Sequence, residues 1–339
     1  MDTRLSSTPL DLRPAAAALV SVARMAPSLH NAQPWRFRVD RHHVDVLIDR
    51  GRLLPVADPA QRQAHLGLGA AVFLLRLELS AIDRAVTVRL RPDPAEPDLI
   101  ARLTVGGHRP AGTLERRLLS AVPARRTVRT PFTGTDVSVP SRVVWREHAE
   151  ADGADLRWVE GAGERVGVAA LVAAAERLQQ RDPAYLAELD RWTSLDTVQE
   201  GAGVPPSAFG VTAVSGHGAE FPLRDFAGGG RTDRARHVGP PEEHPVVAVL
   251  HTPTDRPEDW LRGGQALMRV LLAAAAEGFS ASYLNQPLEL PGLRQQLRDE
   301  LRLDGWPQVI LRLGHPRGVL PPQAPRRPVA DLLVDPPPA

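Results

Sequence analysis

Apolar residues recur along the chain with two periods, and the switching between them predicts a mixed helix-and-strand fold. Residues 15–24 carry the spacing of a short amphipathic helix, while 35–39 and 44–48 alternate as strands do. Leu53-Leu54-Pro55-Val56-Ala57-Asp58-Pro59 then reads as a turn into a helix over 60–81. In that helix Leu66, Ala70, Phe73, Leu74 and Leu77 form one stripe that must be buried. Strands are expected near 86–90 and 99–105, a helix over 113–122, and strands again near 142–147 and 156–159. Helices follow over 165–180 and 184–192. A strand over 245–251, a long helix over 257–277, a strand over 279–284, a helix over 293–301 and a strand over 308–313 complete the pattern.

Two breaks in this pattern set the expected organisation. At about Gly112 the first run of elements ends, giving a first half of 1–112 and a second half of 113–335. A long helix feeding a strand and then a proline occurs in both halves, over 60–92 and 257–287, which is a weak internal repeat of pattern. The stretch 201–243 differs in kind: Pro205-Pro206, Gly228-Gly229-Gly230 and Pro240-Pro241 punctuate it and no period is sustained. A stretch of that length without period inside a compact domain reads as a lid, a binding loop or disorder.

Composition narrows the function. Hydrophobic residues at 43% and charged residues at 24% suit a globular protein with a sizeable core. A net charge of +1 without a basic block gives no electrostatic case for nucleic acid or an acidic membrane surface, and 4% aromatics offer few base-stacking platforms. The sequence has no cysteine, which excludes disulfides, thiolate nucleophiles and cysteine-ligated metals. It has no lysine either, so Schiff-base chemistry is excluded and any anion gripped by a long basic side chain is gripped by arginine. The bland source of this bias, with its alanine and proline, is a GC-rich genome. No apolar run reaches the roughly 20 residues that span a bilayer. The apolar start of the chain flows straight into a polar motif, so no cleaved signal is expected and a cytoplasmic location is.

That motif is Pro27-Ser28-Leu29-His30-Asn31-Ala32-Gln33-Pro34-Trp35, between the first helix and the first strand. Its prolines stop a helix, and Ser28, His30, Asn31 and Gln33 are hydrogen-bonding groups. Two readings stand: a capping turn whose polar groups satisfy local backbone, or a set of donors and acceptors for the edge of a flat heteroaromatic ring. Three arginines within five residues, Arg125, Arg126 and Arg129 around Thr127, repel one another unless an anion is near, and a phosphate is the natural guest. Arg326 and Arg327 between prolines offer a second pair, and a solvated arginine patch is the alternative for each. Gly67-Leu68-Gly69 is not a dinucleotide fingerprint, because no strand precedes it; small residues for close helix packing fit better. His42 and His43 are neighbours on a strand and point opposite ways, so no metal site is expected there.

Pro-Ser-x-x-Asn-x-Gln-Pro-Trp, together with 125–132, 255–286 and 325–329 in that order, resembles the nitroreductase superfamily, and His30 within the motif resembles its Acg-like branch, in which two halves are fused. The resemblance implies an α+β nitroreductase-like fold of two mainly antiparallel sheet-plus-helix halves forming an intrachain pseudo-dimer. It implies FMN as cofactor, held by Pro27, Ser28, His30, Asn31 and Gln33, by Arg125, Arg126, Thr127 and Arg129, by Arg326 and Arg327, and by Leu284 and Asn285 in the segment that passes over the flavin N5. Each half holds only one set of motifs, so the expectation is one FMN per chain between the halves and a second, dead site. The implied activity is hydride transfer from NAD(P)H through the flavin to a nitroaromatic, quinone or related acceptor. The alternative is a flavin-sequestering protein whose lid at 201–243 prevents turnover; a biosynthetic flavoenzyme acting on a peptide or small metabolite is a third reading. His30 could tune the flavin, donate a proton to substrate, or only orient. Expected partners are FMN, NAD(P)H and a small acceptor, with the chain a monomer or a weak homodimer.

Overall fold

The computed structural model describes residues 11–209, 221, 224, 226 and 245–335, so most of the expected lid lies outside the described residues. In order, α1 (Ala16–Ala23), β1 (Trp35–Val39), β2 (His43–Ile48), α2 (Arg62–Ala81), β3 (Arg84–Leu90) and β4 (Leu99–His108) are followed by α3 (Thr113–Ala121) and α4 (Val139–Glu150). Then come β5 (Asp155–Trp158), α5 (Ala162–Gln179), α6 (Pro183–Thr193), α7 (Leu195–Gln199), β6 (Val246–Thr252), α8 (Pro257–Ala276), β7 (Ser280–Tyr283), α9 (Pro291–Glu300) and β8 (Trp306–Gly314). The fold class is α+β, with two four-stranded antiparallel sheets ordered β1-β2-β4-β3 and β5-β6-β8-β7. Both orders place the first, second, fourth and third strand of a set side by side, and a 20-residue helix joins the second strand to the third in each.

Those two helices, α2 and α8, pack on each other at the centre. A Cβ added at Gly69 would lie 2.1 Å from the Leu261 carbonyl oxygen, and one at Gly264 would lie 2.0 Å from the Leu66 carbonyl oxygen. Gly69 is therefore a helix-packing residue, as expected, while Gly67 lies against the turn before β1, where a Cβ would come within 3.2 Å of the Pro27 carbonyl oxygen. The α2 helix is long and apolar enough to cross a membrane by length and composition, but 83% of its apolar window is buried inside the protein. Its start is secured by Asp58, whose carboxylate accepts from the Gln63 and Ala64 N–H groups at 3.1 and 2.9 Å. Asp259 likewise accepts from the Arg256 N–H at 3.1 Å at the start of α8.

One expected strand is a helix. Residues 142–147 fall in α4, where the Ser138 hydroxyl accepts the Ser141 N–H and Pro140 stands in the first turn. Val143 and Val144 are 52% and 40% exposed while Trp145 and Ala149 are buried, so the apolar pair that suggested a strand faces water. The C-terminal segment returns to the first sheet: Phe37 N–H donates to the Leu332 carbonyl at 2.7 Å and Val334 N–H to the Phe37 carbonyl at 2.9 Å. That return carries residues 325–327 against the 27–33 turn.

Candidate functional site

The turn between α1 and β1 is held in a costly backbone shape. His30, Asn31 and Gln33 stand at φ of 47°, 55° and 55°, the left-handed region that side chains with a Cβ usually avoid. Local bonds fix it: Asn31 N–H to the Ser28 carbonyl at 3.0 Å and Gln33 N–H to the Ser28 hydroxyl at 2.9 Å. Distant segments fix it further. The Asn31 Nδ2 donates to the Gly203 and Pro325 carbonyls at 3.0 and 2.9 Å, and its Oδ1 accepts from Arg326 at 3.1 Å. Gln33 donates to the Gly201 carbonyl at 2.8 Å and accepts the Arg327 N–H at 3.1 Å. Both carboxamides thus spend their donors on backbone carbonyls, as the capping-turn reading has it, while Asn31 still lines the cleft.

A cleft opens beside this turn, with a volume of about 1310 Å³ counting its mouth. Pro27, Ser28, His30, Asn31, Arg125, Arg126, Thr127, Arg129, Asn285 and Arg326 line it, so ten of the thirteen sequence-predicted residues converge there. The other three do not. Gln33 is fully buried behind the turn. Arg327 is held by Asp49 at 3.2 Å and by the Asp331 carbonyl. Leu284 turns its side chain into the cluster with Val247, Val249 and Ile310, away from the cleft, and its N–H donates to the Ile310 carbonyl at 3.0 Å.

The arginines reach the cleft because the 125–130 segment is strapped along β7. Val128 N–H donates to the Ala281 carbonyl at 2.9 Å, and Arg312 holds the Val128 and Thr130 carbonyls at 3.1 and 3.0 Å. Among the described residues, Arg24, Arg125, Arg126, Arg129 and Arg326 have no carboxylate partner. Arg125 and Arg326 donate only to carbonyls and to Asn31, with the Met25 carbonyl shared at 3.4 Å. The Nε atoms of Arg24 and Arg126 are buried without a partner among the described residues, as is the Tyr283 hydroxyl on the cleft wall. Burial and the neighbouring arginines push the Arg326 guanidinium down to about 9; burial and Arg224 push Arg129 down to about 10. A charge cluster disfavoured in this way is complementary to an anion.

The far end of the cleft holds residues that the motifs do not signal. Arg224, from the 201–243 stretch, makes a buried pair with Glu289 at 2.6 Å, and Glu289 also accepts from Gln179 at 2.7 Å and Gln63 at 3.3 Å. Arg224 donates to His30 Nε2 at 3.4 Å, which leaves the neutral ring's proton on Nδ1. Burial, then Arg224 and Arg129, hold His30 well below its ordinary value, so it is a neutral imidazole. Phe226 stacks on Phe209, meets the His30 ring edge-on and lies under Arg129 at 4.8 Å. Six described residues of the expected lid, Gly203, Val204, Pro205, Ala208, Arg224 and Phe226, are therefore built into the cleft wall, while Glu289 sits in an ordinary apolar-looking stretch with no signal of its own.

Known proteins match along nearly the full length. The chain is 30% identical over 325 residues to an uncharacterized Mycobacterium tuberculosis protein, Rv3127, covering 93% of this chain and 91% of that one. It is 31% identical over 316 residues to a Mycobacterium tuberculosis protein named "Putative NAD(P)H nitroreductase acg", covering 93% of each. Among solved structures, nitroreductase A of Vibrio parahaemolyticus aligns at 14% identity over 62% of this chain and 72% of that one, with a TM-score of 0.34. No family model matches the chain.

Proposed function

Since this chain belongs to the Acg-like branch of the nitroreductase superfamily, we propose that it is an FMN-dependent oxidoreductase that takes reducing equivalents from NAD(P)H. The observation that carries the reading is the set of partly or fully buried arginines around one cleft, Arg125, Arg126, Arg129 and Arg326, which have no carboxylate partner among the described residues. Arg125, Arg126 and Arg326, with Thr127, would hold the phosphate through charge-assisted bonds. Pro27, Ser28 and His30 on one wall and Ser282 and Asn285 on the other would flank the ring system, with Leu66, Leu267 and Val309 as apolar contacts. Bound there, FMN supplies a carrier that accepts hydride from a nicotinamide and passes it to a nitro, quinone or related acceptor.

The chain's own residues have narrower tasks. Arg129 places positive charge in a part of the cleft closed off by Phe226, where charge acts at low dielectric. His30, neutral and held at Nε2 by Arg224, orients a single Nδ1–H donor rather than serving as an acid at neutral pH. Its tight burial favours orientation over proton supply to substrate.

A second reading has its own support. Arg224 and Phe226 occupy the same cleft, so a wall that shuts out the nicotinamide would make the protein a flavin store without turnover. Anaerobic mixing of the yellow holoprotein with NADH or NADPH separates the two. Bleaching of the flavin absorbance within seconds, with reoxidation by a quinone, supports the oxidoreductase. A chromophore that dithionite bleaches and neither nicotinamide touches supports storage. Protein that purifies colourless and takes up no FMN sinks both.

A further inference from the structure

We propose that Tyr283 reads the phosphate of the bound flavin: its hydroxyl donates to a phosphate oxygen and makes the site choose FMN over riboflavin. The inference rests on the flavin reading above and adds a residue that neither the arginine motifs nor the Pro-Ser-x-x-Asn turn contains.

Tyr283 ends β7, beside the strap that carries the arginines, because Thr127 bridges to Ala281 two residues earlier. Its neighbour Leu284 packs on the opposite face of the sheet, and Tyr283 lines the cleft. The hydroxyl is buried and has no hydrogen-bond partner among the described residues. A buried hydroxyl without an acceptor is costly, so such a group in a folded protein calls for an explanation. The surroundings supply none from the protein. The charged groups that bear on the phenol are Arg125, Arg129 and Arg326, and a guanidinium has donors only. They can satisfy the oxygen but never take the proton. A phosphate is the converse group, all acceptors and no obligatory donors, and two more buried donors nearby, the Nε atoms of Arg24 and Arg126, also lack an acceptor. Burial raises the phenol above its ordinary value despite the three arginines, so it stays a donor through the physiological range. The ribityl hydroxyls of a flavin could take the same proton, but they bring donors of their own to a place already crowded with donors.

The test uses the full chain freed of flavin, titrated with FMN and with riboflavin by quenching of flavin fluorescence, for the wild type and for Tyr283→Phe. The ratio of the two affinities in the variant is expected to fall about 10- to 100-fold, through weaker FMN binding with riboflavin unchanged, as befits loss of one bond to a charged acceptor. Inorganic phosphate is expected to compete with FMN less effectively in the variant. The flavin-free variant is expected to be no less thermally stable than wild type, because the change removes an unsatisfied hydroxyl; a structural role would lower its Tm instead. An unchanged ratio, or equal weakening of both flavins, overturns the proposal in favour of a water or the ribityl chain as acceptor. Wild-type protein that binds neither flavin overturns the flavin reading itself, and this inference with it.

Discussion

His30 combines a left-handed backbone with a buried, neutral ring, and the second property has a consequence for stability. An unfolded histidine takes up its proton near pH 6.5, whereas His30 in the fold resists protonation because burial and two arginines oppose the charge. Below pH 6.5 the unfolded chain therefore binds more protons than the folded one, and stability falls as pH falls. His65, His148 and His251 are shifted the same way by burial and add to the slope. Replacing His30 with Asn keeps a residue that tolerates the left-handed region and removes the titration. Urea unfolding between pH 5.0 and 6.5 is expected to show a flatter dependence in the variant, by up to about 1.4 kcal/mol per pH unit, the value for one proton. Coincident slopes would mean that the folded ring protonates freely. The residue scale is also where legibility in the sequence was most uneven. Charge density betrayed Arg125, Arg126, Arg129 and Arg326, because like charges packed together demand an explanation whatever the fold. Arg327 looked identical to Arg326, yet its side chain is held by Asp49, and one residue of register decides which of two adjacent arginines faces the cleft. Glu289 and Arg224 carried no signal, and Tyr283 lay in the resembling 255–286 segment without a role of its own, because their meaning comes from what surrounds them in space.

The helices α2 and α8 show how much of an element can be read and what a period leaves out. The sequence predicted both as long helices, and in α2 the apolar stripe and Gly67-Leu68-Gly69 predicted burial and close packing. The reciprocity appears only in three dimensions. Leu66 and Gly69 are the fifth and eighth residues of α2, and Leu261 and Gly264 are the fifth and eighth of α8, each leucine carbonyl facing the other helix's glycine. Gly264→Ala puts a methyl group 2.0 Å from the Leu66 carbonyl, with backbone on both sides, so the helices must part along their whole contact. Overpacking of this kind is expected to cost about 3 kcal/mol, the upper end of the usual range, read as a lowered urea midpoint or as failure to accumulate folded protein. Gly107→Ala in β4, where nothing lies within 4 Å, is the matched control and should stay within about 0.5 kcal/mol of wild type. A tolerated Gly264→Ala would mean that the two helices do not cross in close backbone contact. The α4 helix marks the opposite case. Arg142-Val143-Val144-Trp145 has β-branched residues and an aromatic, which favour a strand by propensity, but a serine cap and a proline one turn earlier start a helix that the tertiary contacts of Trp145 then hold. Capping chemistry outweighed propensity there, and the valines are left facing water.

At the scale of the whole molecule, the topological repeat raises the question of how many flavins one chain carries. Two sheets of the same strand order around a reciprocal helix pair have the form of an internal pseudo-dimer, and a faithful dimer would carry two equivalent clefts. The cleft seen here uses the second and fifth residues of α2, Gln63 and Leu66, with the eleventh of α8, Leu267. Exchanging the helices gives Glu258, Leu261 and Val72. There Leu261 and Val72 are wholly buried, and Glu258 faces Arg91 at 3.5 Å, so an ion pair stands where the cleft has Gln63. The arginine strap follows α3 and has no counterpart before the first sheet, where 27–33 takes its place. One FMN per chain is therefore expected, gripped by segments far apart in the sequence: the turn at 27–31 from the first half and the arginines at 125–129 and 326 from the second. Heat release of the flavin, its absorbance set against protein concentration, gives the stoichiometry directly, and a value near two would sink the account of a single surviving cleft. Binding to the folded chain alone also stabilises it, by about 2.7 kcal/mol at a free concentration one hundred times Kd. Saturating FMN should accordingly raise the Tm in one step with a single binding constant, and riboflavin, lacking the group that the arginines seek, should raise it less.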